Sequence, residues 1–87
     1  MMTEQEKNLI RLMEECAEVQ HCISKILRFG MLFHNPETGV RNDKKLIQEC
    51  ADLVENLEKV VDTTSAEFIQ YKEEKTRRTE FFKQYER

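Results

Sequence analysis

Glycine and proline are nearly absent, two and one in 87 residues, and runs of β-branched residues are scarce. That excludes a loop-rich or sheet-built chain and leaves residues 1–87 to be read as one small helical domain. A basic excess is also missing: 14 Lys and Arg stand against 17 Asp and Glu, for a formal charge of −3 and a pI near 5.4. Nucleic acid polymer is therefore not the expected partner. No apolar run approaches the roughly 20 residues that span a bilayer, and MMTEQEKNL has neither the basic nor the apolar region of a signal peptide. A cytoplasmic location without a membrane partner is the expectation. Three cysteines, Cys16, Cys22 and Cys50, cannot build an even disulfide framework and fall on expected helices, which points to reduced, buried thiols. A chain of this length buries only about 60% of the surface its unfolded form exposes. Self-association is the natural remedy.

What is present is helical periodicity. A first helix is expected from near Thr3, which has capping-box spacing to Glu6, to about Phe29, with Gly30 as its stop. Leu9, Leu12, Met13, Cys16, Val19, Ile23, Ile26 and Leu27 give it a three-and-four apolar spacing. The connection over 30–42 holds the only proline and Asn35-Pro36, and either contains a short helical turn or forms a flap. A second helix is expected after Asn42 or Asp43, running to about Val61, with Leu46, Cys50, Leu53, Leu57, Val60 and Val61 inward. Thr64 and Glu67 have capping-box spacing ahead of a third helix over about 65–84. Its middle, YKEEKTRRTE, is polar on every face. The expected class is all-α, three helices assembling into a bundle by oligomerisation.

The chemistry lies in a doubled pattern. Glu15-Cys16-Ala17-Glu18-Val19 recurs 34 positions later as Glu49-Cys50-Ala51-Asp52-Leu53. At roughly 100° per residue, each copy places its first acid at the edge of the apolar stripe and its second about 60° away. Two helices of this layout, packed stripe to stripe, bring Glu15, Glu18, Glu49 and Asp52 together along one margin of the interface. Four such carboxylates repel one another unless a divalent cation neutralises them. An oxygen-only donor set suits Mg²⁺, with Mn²⁺ as the alternative, and Mg²⁺ combines readily with substrate phosphates. A single ExxE would ordinarily be solvated surface; two copies in the same helical phase are less readily explained that way.

This paired ExxE and ExxD resembles the hallmark of the MazG-like, all-α nucleoside triphosphate pyrophosphohydrolases, a superfamily that includes dimeric dUTPases and phosphoribosyl-ATP pyrophosphohydrolase. The resemblance covers roughly residues 8 to 62. It implies a dimeric or tetrameric helical fold, Mg²⁺ held by Glu15, Glu18, Glu49 and Asp52, and conversion of a nucleoside triphosphate and water to the monophosphate and pyrophosphate. It further implies phosphate-binding side chains, for which Lys25, Asn56, Lys72, Lys75, Arg77 and Arg78 are the candidates. Thirty residues separate Glu18 from Glu49, slightly more than the family's usual interval. Phe33, His34 and Asn35 are candidates for contact with a base.

Three rivals compete with that expectation. A zinc site from Cys16, His21, Cys22 and Cys50 lacks any CxxC or HxxxH. A non-catalytic adaptor or inhibitor keeping the fold would be expected to carry a broken carboxylate set, and all four acids are present. A phosphoribosyl-ATP hydrolase would share the chemistry but not the substrate.

Overall fold

The computed structural model describes residues 1–87 and contains three helices, α1 (Glu4–Phe29), α2 (Asn42–Glu58) and α3 (Ala66–Lys83). The fold is all-α. Thr3 and Glu6 close the expected capping box on α1, each backbone N–H donating to the other's side chain at 3.0 and 3.1 Å. The helix stops at Gly30, whose φ of 102° favours glycine and whose N–H donates to the Ile26 carbonyl.

The connection contains no extra helical turn. Asn35 folds it into a small hairpin: its side-chain oxygen accepts from the N–H groups of Glu37 and Thr38, and its N–H donates to the Val40 carbonyl. Gly39, at φ 74°, turns the chain back so that His34 and Arg41 pair in a single antiparallel bridge. This hairpin also corrects the expected start of α2. Asn42 is the first residue of the helix rather than its cap, and Arg41 occupies the cap position without a side-chain bond. The first N–H groups of α2 find carbonyls of the connection instead, Asn42 to Phe33 and Asp43 to Met31, both at 2.9 Å. The buried Asn42 side chain donates to the Gly30 carbonyl at 2.9 Å and ties the two ends of the connection together.

α2 closes three residues before Val61, where tight bonds from Lys59 and Val60 end the helical ladder. Asp62 then takes the Thr64 hydroxyl and N–H, so Ser65, not Thr64, caps α3 by accepting from Phe68 at 3.1 Å. No carboxylate completes a box there.

α1 and α2 are the only helices that pack on each other. Their seam follows heptad-like spacing: Leu12, Glu15, Val19, Cys22 and Ile26 on α1 meet Asn42, Leu46, Glu49, Leu53 and Leu57 on α2, all buried or half-buried. The remaining apolar residues form a second stripe on each helix that faces solvent. Leu9, Met13, Cys16, Ile23 and Leu27 lie on α1, with Met13 65% and Leu27 82% exposed; Ile47 and Val54 lie on α2, and the exposed Val61 follows its end. Cys16 and Val61 thus point outward rather than to the core. Only Cys22, Asn42 and Glu49 are buried, each 6% exposed. The radius of gyration is 16.4 Å, against roughly 12 Å for a compact chain of this length.

Candidate metal centre

The doubled motif meets across the α1·α2 seam. Carboxylate oxygens of Glu15, Glu49 and Asp52 lie within 4.8 Å of one another. Glu15 and Glu49 stand in the seam itself, not along its margin, because each occupies a position that heptad spacing would give to an apolar residue. Asp52, one helical turn beyond Glu49, is exposed at the lip. Glu18 falls outside this trio and is exposed, though its charge is felt at both Glu15 and Lys45.

The electrostatics follow from the crowding. Burial first, and then Asp52, Glu49, Glu18 and Glu14, hold the Glu15 carboxyl above its ordinary range. Glu49 avoids an uncompensated charge by pairing with Lys45, whose Nζ is 2.9 Å from Glu49 Oε1. That hydrogen bond in turn holds the Lys45 ammonium more firmly protonated. Neither Glu15 nor Asp52 has a basic partner. Cys22, beside Glu49, has its thiol pushed upward by burial, so it is a protonated core residue and a poor nucleophile.

The donor set fits a hard cation. Oxygens opposite each other around Mg²⁺ stand about 4.2 Å apart, twice a bond of about 2.1 Å. Neighbouring oxygens stand about 3.0 Å apart at the same bond length, so a cluster spanning 4.8 Å would have to contract around an ion. Carboxylate oxygens, with waters and substrate phosphate oxygens completing the shell, are donors of the kind Mg²⁺ takes.

Beside the cluster lies a groove of about 290 Å³ between α1, the connection and α2. Glu18, His21 and Lys25 line it from α1, Asn35 and Thr38 from the hairpin, and Asn42, Lys45 and Glu49 from α2. Lys25 and Asn35 therefore share this groove with Glu18 and Glu49, whereas Glu15 and Asp52 do not line it. Phe33 stacks on Phe29 at 5.1 Å and His34 is engaged in the bridge to Arg41. Asn56 donates its side-chain amide to the Asp52 carbonyl at 2.9 Å.

Lys72, Lys75, Arg77 and Arg78 sit on α3, which packs on neither other helix. Within one chain the structure does not bring them to the carboxylates; Lys75 and Arg78 line a separate shallow cleft with Phe82. Lys45 and Asn42 are groove residues from α2 to which sequence reasoning gave no role at the site. The signal for Lys45 was its spacing four residues before Glu49; Asn42 was read as a cap.

The chain matches no family model, no curated protein and no solved structure. The likeness to the MazG-like enzymes rests on the doubled motif alone. No helix is long and apolar enough to cross a membrane.

Proposed function

We propose that the protein is a Mg²⁺-dependent nucleoside triphosphate pyrophosphohydrolase of the MazG-like kind. The observation that carries this reading is the convergence of Glu15, Glu49 and Asp52, drawn from both copies of the motif, on one point beside a groove. The reaction is attack of water at the α-phosphorus, releasing the monophosphate and pyrophosphate. A bound Mg²⁺, with Mn²⁺ as a substitute, would offset polyphosphate charge and make a water more acidic. Glu15, Glu49 and Asp52 would hold such an ion. Glu18, exposed on the groove and free of any ion pair, takes the proton of the attacking water as general base. Lys25, half-buried on the groove wall, offers charge to the phosphates.

The working unit is a homodimer or homotetramer in the cytoplasm. Solvent-facing second stripes on α1 and α2, and an α3 that packs on nothing within its own chain, support that reading. Lys72, Lys75 and Arg78 would then serve a site formed with a second copy. The same exposed faces also favour an adaptor or inhibitor that keeps the fold without turnover, and a phosphoribosyl-ATP hydrolase would share these carboxylates.

One assay separates these readings. Purified protein with Mg²⁺ and a panel of nucleoside triphosphates, damaged nucleotides and phosphoribosyl-ATP should release pyrophosphate and a monophosphate from at least one of them. Activity on phosphoribosyl-ATP alone selects that hydrolase. Orthophosphate as the product, or silence across the panel with Mg²⁺ and Mn²⁺, rejects the proposal and leaves the adaptor.

A further inference from the structure

Lys45 is the one basic side chain paired with a carboxylate of the cluster. The pair is unequal in its surroundings: the Glu49 side chain is 8% exposed, whereas that of Lys45 is 49% exposed. The ammonium therefore reaches in from solvent on a flexible four-carbon stem, anchored one helical turn from the acid it neutralises. It also lines the groove, on the same side as Asn42 and across from Lys25.

A divalent ion held by Glu49 would stand within a few ångströms of that ammonium. Like charges so close in a partly desolvated site repel strongly. Glu49 cannot move far, because it is enclosed in the seam, but Lys45 can swing into the groove without disturbing the backbone. A cation freed there faces the place where an anionic substrate group has to lie.

We infer that Lys45 is an exchangeable counter-ion: it pairs with Glu49 in the metal-free protein, yields that carboxylate to the divalent ion, and then holds a phosphate oxygen of the substrate in the groove. The inference rests on the metal-site reading above. Lys45 would thereby couple the order of binding, metal first and phosphate second. It is a positioning residue toward the metal and a binding residue toward the substrate.

The test uses the full chain as wild type, Lys45→Met and Lys45→Arg, with free Mn²⁺ followed by electron paramagnetic resonance in the absence of nucleotide. Lys45→Met should bind Mn²⁺ more tightly by on the order of tenfold, the scale of one charge interaction at a half-exposed position, and Lys45→Arg should stay close to wild type. With Mn²⁺ saturating, calorimetry with an α,β-methylene nucleoside triphosphate should show weaker binding to Lys45→Met by on the order of tenfold. Unchanged or weaker Mn²⁺ binding by Lys45→Met overturns the exchange, and unchanged analogue binding overturns the phosphate contact. Binding of Mn²⁺ by neither protein removes the metal-site reading and this inference together. Lys45→Gln carries the same comparison should the Met variant fail to fold.

Discussion

Glu15→Gln should lower pyrophosphate release by roughly a thousandfold and at the same time raise the melting temperature of the metal-free protein. The two effects have one origin. Glu15 is crowded by Asp52, Glu49, Glu18 and Glu14 and half-buried in the seam, so its carboxyl sits above the ordinary value of 4.5. A group that binds its proton more tightly folded than unfolded contributes stability below the unfolded value, and that contribution is lost as pH rises through the folded value. Metal-free wild type therefore carries an ionisation penalty at neutral pH that the Gln variant lacks. The difference in melting temperature should be widest near neutrality and close as pH falls toward 4.5. Adding Mg²⁺ should reverse the order, raising the wild type and leaving the variant nearly unmoved, because only the wild type keeps the full set of ligands. A Gln variant that melts lower than wild type without metal at every pH would make Glu15 a structural partner instead.

The second large effect concerns assembly. Met13→Glu with Leu27→Glu places two charges on the solvent-facing stripe of α1 and leaves the seam residues Leu12, Val19 and Ile26 untouched. If that stripe is covered by a second copy, wild type should scatter light as a dimer or larger and melt at a temperature that rises with concentration. The double variant should be monomeric and melt lower by on the order of 10 °C, with no concentration dependence. A wild-type monomer at all concentrations, melting alongside the variant, would remove the assembly.

Which features were legible in the sequence depended on how local their causes were. Thr3 with Glu6 and Gly30 act within one turn of the chain, and they bound α1 where the sequence places them. The start of α2 depends on carbonyls of Met31 and Phe33 brought back by the hairpin, and no pattern of cap residues reveals that. At α3 two adjacent hydroxyls competed for one role, and Asp62 decided it by engaging Thr64.

The doubled motif could be read as a divided site because equal spacing on two helices imposes equal phase. Its exact depth could not. Leu9, Met13, Ile23 and Leu27 make as good an apolar stripe as Leu12, Val19, Cys22 and Ile26, and a periodicity that counts only apolar residues cannot choose between them. The seam runs through Glu15 and Glu49, which moves two acids from the expected margin into the interface. This placement is costly for a purely structural packing surface, since charges crowded into a packed seam call for partners, and Lys45 serves only Glu49. EECAEV and ECADL thus owe their positions to the pairing of α1 with α2, with Asp52 completing the cluster and Glu18 left free at the groove.

That Glu15, Glu49 and Asp52 form one divalent-cation site is a claim that diffraction from crystals grown with Mn²⁺ decides. An anomalous difference map should show a peak among these three carboxylates, about 2.2 Å from an oxygen of each. A map with no peak there while the crystal contains Mn²⁺, or with its peaks confined to other acidic residues, would contradict the claim.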